Sequence, residues 1–467
     1  MADRSRPNGG ARLEIPPVAT ELGERFRLAG HELHLVGGAV RGLLTRRDDP
    51  NLDLDFATDA VPAETTKILR GWAMPLYLVG VKFGTVGGRR EGRDLEITTF
   101  REEVYAEEHR KPSVTFGKDL RTDLSRRDFT VNAMAVRLPE GEFVDPFGGV
   151  KDLAAKRLDT PLDPEIAFSD DPLRMLRAAR FASQLELSPV PRVVEAIERM
   201  RGRLAIVSAE RIADELSKLL QSPWPAVGVE LIVRTGLADE FLPELSALRL
   251  EQDPVHKHKD VLHHTMAVIE KCDPHDLTLR LAAMLHDVGK PKTREITPEG
   301  VTFHHHEVVG ARMARARLQA LRFPSSVLDD VERLVELHLR FHGYTEWSDS
   351  AVRRYVRDAG PLLDRLNQLT RADCTTQNPF KAKKLEALQD DLEERIARLA
   401  EEENLEAMRP PLDGTQVMEH LGVEPGPVVG RALDMLMEVR LERGPIEPDE
   451  AYRLLDAWWA EQRERGD

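Results

Sequence analysis

The sequence predicts an α+β protein: a head built on a mixed sheet, followed by an all-α body. Three observations carry that expectation. Alternating strand patterns crowd the first third of the 467 residues. Beyond residue 150 they nearly vanish, and apolar residues recur at i, i+3, i+4 and i+7 in DPLRMLRAARFASQL, VVEAIERM and AERIADELSKLLQ. Aromatic residues make up 5% of the chain while Leu, Ala, Arg and Glu abound, which leans helical.

At about 100–200 residues per domain, the length calls for several modules. We expect a polar tail over 1–20, a head over 21–150, a helical neck and body over 151–250, a histidine-rich module over 251–380 and a helical C-terminal region over 381–467. Residues 21–31 read as a short helix. Leu33, Leu35 and Val36 then lead into Gly37-Gly38 and Val40-Arg41, a strand, a glycine turn and a helix start. A strand carrying Asp53 and Asp55 follows, then a helix in VPAETTKILRGW with Pro62 near its start. PLYLVG and GTVGG (75–88) read as a hairpin and DLEITTF (94–100) as a strand. Asp145-Pro146 and Gly148-Gly149 mark the first boundary. Residues 385–405 form a long charged helix, three heptads at most and so short of a proven coiled coil.

Composition narrows the class. Hydrophobic residues at 41% and charged residues at 31% suit a soluble globular protein and exclude a disordered one. There is no run of 18 apolar residues to span a membrane, and MADRSRPNGG lacks the apolar stretch of a signal peptide. Cys272 and Cys374 form no metal-type pair, so a reducing cytoplasm is the simplest reading. A net charge of −15 argues against a general nucleic-acid coat, because phosphate binding needs cations. Local basic tracks remain: Arg174, Arg177, Arg180, Arg192, Arg199, Arg201 and Arg203, and FKAKK at 380–384. Such a face suits an RNA that must be released after a reaction; a solvated charged face accounts for it equally well.

NLDLDFATDA carries the strongest chemistry. Residues i and i+2 of a strand project to one side, so Asp53 and Asp55 face together. Two such carboxylates stay ionised if cations lie between them. Hard divalent ions such as Mg²⁺ prefer this arrangement, with substrate phosphates completing the shell, and two of them serve phosphoryl transfer. Two exposed acids on an edge strand are the alternative. Gly37 and Gly38 at the strand-to-helix turn let backbone N–H groups approach a triphosphate, and Arg41 is placed to reach it. Glu96 supplies a third carboxylate.

GGAVRGLL, LDLDFATDA, SRRDFTVNAMA, DPFGGVKDL, DDPLRMLRAARFA and ERIADELSKLL occur in that order. Together they resemble the class II tRNA nucleotidyltransferases, the CCA-adding enzymes, with bacterial poly(A) polymerases as close relatives; the resemblance covers residues 30–375. Gly42 stands where that family usually has Asp, and Asp170 where Glu is more usual. The resemblance implies that Asp53 and Asp55 bind metal, that Arg127 and Asp128 hold the nucleotide, and that Asn132 contacts sugar or phosphate. It also implies that Asp171 and Arg174 read the incoming base. Their i, i+3 spacing puts them on one helix face. A carboxylate suits an exocyclic amine and a guanidinium suits a ring nitrogen, the edge that cytosine and adenine share and guanine and uracil reverse. A surface ion pair is the alternative. Arg177 and Arg180 extend the same helix towards triphosphate, tRNA backbone or solvent.

The later histidines, in LHHTMAVIE, AAMLHDVGKPKT, FHHHEVVGA and VELHLRFH, with TRADC beyond them, resemble the HD phosphohydrolase domain. Its metal ligands would be His264, His286, Asp287 and Asp373, with His306 and His338 matching a second-metal set. Imidazole with carboxylate suits Mn²⁺, Ni²⁺, Fe²⁺ or Mg²⁺. An inherited fold with a vacant site is the alternative.

The expectation is therefore a tRNA nucleotidyltransferase of the CCA-adding type, using CTP, ATP and tRNA, with an appended HD domain. A poly(A) polymerase or a CC-only enzyme is the near rival. An HD phosphohydrolase whose head only binds RNA, or an RNA chaperone without turnover, is the rival from another class. Oligomeric state is not legible.

Overall fold

The computed structural model describes residues 13–45, 54–104, 113–249, 261–297, 300–341, 344, 347–374, 378–403 and 409–465. Asp53 lies outside them. The chain forms two compact units, Met1–Phe241 and Leu242–Asp467.

The first unit opens with α1 (Pro17–Leu28), β1 (Leu33–Val36), α2 (Gly38–Thr45), β2 (Leu54–Thr58), α3 (Pro62–Leu69), β3 (Leu76–Tyr77), β4 (Thr85–Arg90) and β5 (Arg93–Thr99). It continues with β6 (Arg101–Val104), β7 (Ser113–Phe116), α4 (Leu120–Ser125), β8 (Ala135–Leu138), β9 (Glu142–Val144) and α5 (Gly149–Ala154). Seven strands make one mixed sheet in the order β3-β4-β5-β2-β1-β8-β9. β2 and β5 run parallel and the other neighbours antiparallel.

The period of two decides what faces where. Leu33, Leu35, Leu54, Phe56, Leu95 and Ile97 turn to one side, where Val18, Leu22 and Phe26 of α1 and Leu69 of α3 close the core. Burying each such side chain contributes about 1.5–3 kcal/mol. Val36 and Ala57 turn the other way, against Phe100, Leu124, Ala133 and Ala135. Asp55 shares that second side.

Two expectations change in detail. α1 starts at Pro17, inside the stretch expected as tail, because Leu13, Ile15 and Val18 are apolar and pack on the head core, and Pro17 suits a first helical position. The 75–88 hairpin forms, with Leu76 opposite Gly88 and Tyr77 opposite Gly87, but β3 has only two residues and β4 pairs more extensively with β5 across a turn at Glu91 and Gly92, both at positive φ. Gly42 does not interrupt α2.

The rest of this unit is helical: β10 (Arg157–Leu158), α6 (Pro164–Asp170), α7 (Leu173–Leu185), β11 (Ser188–Pro189), α8 (Pro191–Met200), α9 (Ala209–Leu220) and α10 (Pro225–Arg234). α7 is its centre, packed on α9 and α10. Gly228 lets α10 approach α7: a Cβ there would lie 2.3 Å from Ser183 Oγ and 2.7 Å from the Ala179 carbonyl oxygen.

The second unit contains α11 (Pro243–Ser246), α12 (Val261–Lys271), α13 (Leu277–Leu285), α14 (Lys290–Thr293), β12 (Arg294–Thr297), β13 (Gly300–Phe303), α15 (His306–Ala320) and α16 (Ser325–Leu337). It ends with α17 (Asp349–Ala359), α18 (Leu363–Asp373), α19 (Pro379–Glu403), α20 (Gly414–Leu421), α21 (Pro427–Arg443) and α22 (Pro448–Arg465). α19 is the long charged helix. It turns Gln389, Leu392 and Leu399 inward and ties to α17 through Arg395 and Asp349, 2.6 Å apart, so its partners lie within the chain. α20–α22 enclose a small core of Val417, Ala432, Leu436, Ala451 and Leu455. Among the described residues no helix is long and apolar enough to cross a membrane.

Candidate functional site

Asp55 and Glu96 are direct neighbours on the parallel strands β2 and β5. Both line an open cavity of about 400 Å³ on the second side of the sheet. Phe56, next in sequence to Asp55, is 1% exposed in the core below, so alternation alone turns the carboxylate outward. Gly37 has φ of +68°, and a Cβ on it would come within 3.3 Å of Arg127 Nη1 and 3.6 Å of Asp55 Oδ2. The glycine therefore keeps backbone, guanidinium and carboxylate close. Gly38 begins α2, where an added Cβ would meet Arg41 Nη2 at 3.7 Å.

The cavity wall also holds Arg101, Asp123, Arg126, Arg127, Asp128, Asp171, Arg174, Arg177 and Arg211. Asp128 is the hub. Its Oδ2 accepts from Arg177 Nε at 2.9 Å and its Oδ1 from Asn132 Nδ2 at 3.0 Å, and Asn132 Oδ1 accepts from Arg41. Burial pushes the Asp128 carboxyl up, but the Arg177 charge and these hydrogen bonds outweigh it and hold it below the usual range. Arg177 continues to Glu215 Oε1 at 3.3 Å, and Arg180 Nε lies 3.0 Å from Glu215 Oε2. Arg41, Arg177 and Arg180 surround the Phe181 ring at 5.5, 5.4 and 4.4 Å.

Not every expected residue lines the cavity. Arg180 is buried against Phe181 and Glu215 and does not line the cavity; Asn132 and Arg41 stand behind Asp128. Asp171 and Arg174 do not share a helix face, because Asp171 ends α6 and α7 begins only after Pro172. Asp171 Oδ1 accepts from the Leu173 N–H at 3.1 Å. Arg174 is held by main chain: Nη1 donates to the Ala167 carbonyl at 3.2 Å and Nη2 to the Arg126 carbonyl at 2.5 Å. Sequence reading missed Arg101, Asp123, Arg126, Arg211 and Glu215 as wall or support residues. Glu215 had a signal, a charge on the otherwise apolar inner face of ERIADELSKLL, with Arg211 one turn before it.

The second unit gathers all six expected ligands. His264, His286 and Asp373 form one set, and Asp287, His306 and His338 another, with the ligand atoms of each set within 4.8 Å of one another. His264 Nε2 lies 2.8 Å from Asp373 Oδ1, and His286 Nε2 lies 3.3 Å from Asp287 Oδ2. Asp287 reaches both sets, because its Oδ1 lies 3.4 Å from His306 Nε2. Local structure fixes the imidazoles. His286, His306 and His338 each place Nδ1 on the carbonyl three residues earlier, at 2.8, 2.8 and 2.6 Å. Nδ1 then donates, and in the neutral imidazoles Nε2 turns its lone pair to the interior, the usual orientation of a metal-binding histidine. Nε2 of His306 and of His338 are buried without a hydrogen-bond partner, a cost that a bound cation would relieve.

Burial disfavours protonation of His286, yet the Asp287 and Asp373 charges outweigh it and hold its pKa at about 8. Burial and the His286 charge push His338 down to about 3. Burial also opposes ionisation of Asp373, but His264 and His286 hold it below the ordinary carboxylate range. Lys290 Nζ sits 2.7 Å from Asp287 Oδ2 and 5.7 Å from the Phe303 ring centre.

Comparison with known proteins accords with both regions. Residues 33–159 match the poly A polymerase head domain, 187–248 the probable RNA and SrmB-binding site of polymerase A, and 259–402 the HD domain. An A-adding tRNA nucleotidyltransferase of Deinococcus radiodurans is 35% identical over 91% of this chain and 95% of its own. A CC-adding tRNA nucleotidyltransferase of Thermus thermophilus is 34% identical over 92% and 94%. The crystal structure of a Bacillus stearothermophilus CCA-adding enzyme in complex with CTP superposes with a TM-score of 0.69 at 25% identity, over 97% of this chain and all of that one.

Proposed function

This chain belongs to the tRNA nucleotidyltransferase family, and on that premise we propose that it builds the CCA end of tRNA from CTP and ATP. It is a nucleotidyltransferase. The observation that carries the specific reading is the pairing of Asp55 with Glu96 on the cavity floor, opposite a wall holding Asp171 and Arg174.

The tRNA 3′-hydroxyl attacks the α-phosphate of the nucleotide and pyrophosphate leaves. Asp53, Asp55 and Glu96 would hold Mg²⁺, which when bound offsets the negative charge of phosphates and carboxylates. The donor set fits: Asp55 and Glu96 place oxygen-bearing side chains on adjacent strands, close to the turn at Gly37. Arg127 reaches the triphosphate from beside Gly37, and Arg101 and Arg126 extend the cationic wall. Asp128, fixed between Asn132 and Arg177, orients the sugar. Asp171 accepts the base amine and Arg174 donates to the neighbouring ring nitrogen. One such reader suits both cytosine and adenine, which favours a single chain completing the triplet.

Two full-length relatives carry names for CC addition or A addition alone, so the deciding experiment separates the steps. Purified chain is given tRNA ending before C74, C75 or A76, with CTP and ATP supplied singly and together. Extension at all three positions is expected. Addition of only CC or only A, or an unlimited A tail, would replace this reading.

The buried Nε2 atoms of His306 and His338 favour a second activity in the same cytoplasmic chain. The two ligand sets would hold divalent ions, Mn²⁺, Ni²⁺, Fe²⁺ or Mg²⁺, and hydrolyse phosphoesters of nucleotides or RNA ends. Release of phosphate from such esters, lost with His286→Ala while nucleotide addition persists, tests it.

A further inference from the structure

From the geometry we infer that Arg211 is a positioning residue for base choice: it sets the Asp171 carboxylate and thereby decides which nucleotides enter. The inference rests on the reading of Asp171 and Arg174 as the pair that faces the base.

Arg211 projects from the first turn of α9 into the cavity wall. Its Nη2 lies 2.7 Å from Asp171 Oδ2. Asp171 is thus gripped at both oxygens, Oδ1 by the Leu173 N–H at 3.1 Å and Oδ2 by Arg211. A carboxylate oxygen has two lone-pair directions, so each grip leaves room for a base amine while fixing the carboxylate plane. Remove Arg211 and one anchor remains, about which the carboxylate can swing.

The two halves of the reader answer to different elements. Arg174 is bound by the carbonyls of Ala167 and Arg126, atoms that move only with the backbone. Asp171 is bound on one side by a long side chain that is 52% exposed and rotatable. Cytosine and adenine present the same amine and ring nitrogen, but the purine carries that edge farther from the sugar. Accommodating both needs one rigid member and one adjustable member. The backbone-held guanidinium is the rigid one, and the Asp171–Arg211 ion pair is the adjustable one. α9 is built for this: one turn after Arg211, Glu215 is 3% exposed and pins Arg177, which in turn pins Asp128, so a single helix face supports the sugar and base ends of the wall together.

The test compares the full-length wild type with Arg211→Gln, Arg211→Lys and Asp171→Asn on tRNA ending before each addition. kcat and KM are measured for CTP, ATP, UTP and GTP. R211Q is expected to cut the preference for CTP over UTP, and for ATP over GTP, by about ten-fold or more, the scale of coupling between contacting groups. The loss falls on nucleotide KM, the KM for tRNA stays unchanged, and R211K recovers part of the preference. Combined with D171N, R211Q adds nothing. Equal slowing of all four nucleotides with unchanged ratios, in R211Q or in R211K should R211Q not fold, means a purely structural role and overturns the inference. If D171N itself keeps full selectivity, the underlying reading falls. If D171N loses selectivity while R211Q and R211K keep it, only the role of Arg211 falls.

Discussion

The head cavity and the histidine centre are both clusters of ionisable groups, yet they balance charge by different means. In the head, carboxylates lie against guanidiniums, which keep their charge at any working pH: Asp128 with Arg177, Asp171 with Arg211, Asp123 with Arg127. The cavity is open, and its floor of Asp55 and Glu96 lies beside cationic walls. In the second unit Asp287 and Asp373 lie against imidazoles, which are neutral or charged as surroundings dictate, with Asp287 only 1% exposed. The first arrangement suits a polyanion that arrives with its ions and leaves. The second is a buried candidate ligand set in which, among the described residues and apart from Lys290 beside Asp287, the carboxylates face only imidazoles. Fixed cations suit turnover of a charged substrate; adjustable ones suit a held metal.

The sharpest way to break that contrast is Asp55→Ala. Nucleotide addition, followed as pyrophosphate release, should fall by at least about 10³-fold, the scale of losing charge stabilisation in phosphoryl transfer. tRNA binding and metal uptake by the histidine centre should stay within two-fold of wild type. Addition retained at more than a tenth of the wild-type rate would remove the carboxylate floor from the mechanism.

Next comes stability. Asp128→Ala leaves Asn132 without its acceptor and Arg177 with Glu215 alone in the cavity wall, and should destabilise the first unit by about 1–3 kcal/mol. Urea unfolding followed by tryptophan fluorescence, with Trp347, Trp458 and Trp459 of the second unit replaced by Phe in both proteins, measures this, and a loss under 1 kcal/mol would show that the hub is solvated.

Asp287→Ala sharpens the other side. The histidine centre should bind two Mn²⁺ by titration calorimetry on an Asp55→Ala chain, whose head site is disabled. Adding Asp287→Ala, which removes the carboxylate that among the described residues reaches both ligand sets, should weaken that binding about 10–100-fold, and Asp287→Ala alone should leave CTP addition unchanged. Unaltered Mn²⁺ affinity would mean that the imidazoles alone hold the ion.

The contrast also explains what sequence alone could reveal. The head chemistry sits on strands, where a period of two turns Asp55 out and Phe56 in, so short quoted motifs located the floor. The candidate ligands are spread from His264 to Asp373, yet each lies at or near a helix end, and the six residues that the resemblance pointed to come together in the fold. What escaped were side chains that act across elements. The i, i+3 rule placed Asp171 and Arg174 on one helix; Pro172 breaks that helix between them, and their partners come from α9 and from the loop before Asp128. Arg180 read as a phosphate, RNA or solvent-facing residue because its partner, Glu215, is 35 residues on in sequence. Charge pairing between distant helices leaves no periodic trace.

The smallest effect at neutral pH, and the one with an unambiguous sign, concerns His34. It lies at the centre of β1, 0% exposed, with both ring nitrogens lacking a hydrogen-bond partner and Phe100 5.9 Å away. Burial, and then the charge of Arg137 opposite it on β8, push its pKa from 6.5 down to about 4, against a weaker pull from Asp59. No carboxylate rescues it as Asp287 and Asp373 rescue His286. Because the folded-state value is the lower one, the unfolded chain takes up the proton first as pH falls. Stability is therefore intact above about pH 6.5, drops between there and about 4, and levels off below, by up to about 3 kcal/mol. His34→Phe keeps the ring and removes the titration. The variant should match wild type within about 1 kcal/mol at pH 7.5 and exceed it by about 2 kcal/mol at pH 5, in urea melts of the first unit. An identical pH dependence in the two proteins would mean that His34 finds a proton partner in the folded chain, and that a buried imidazole in the head is handled as in the histidine centre after all.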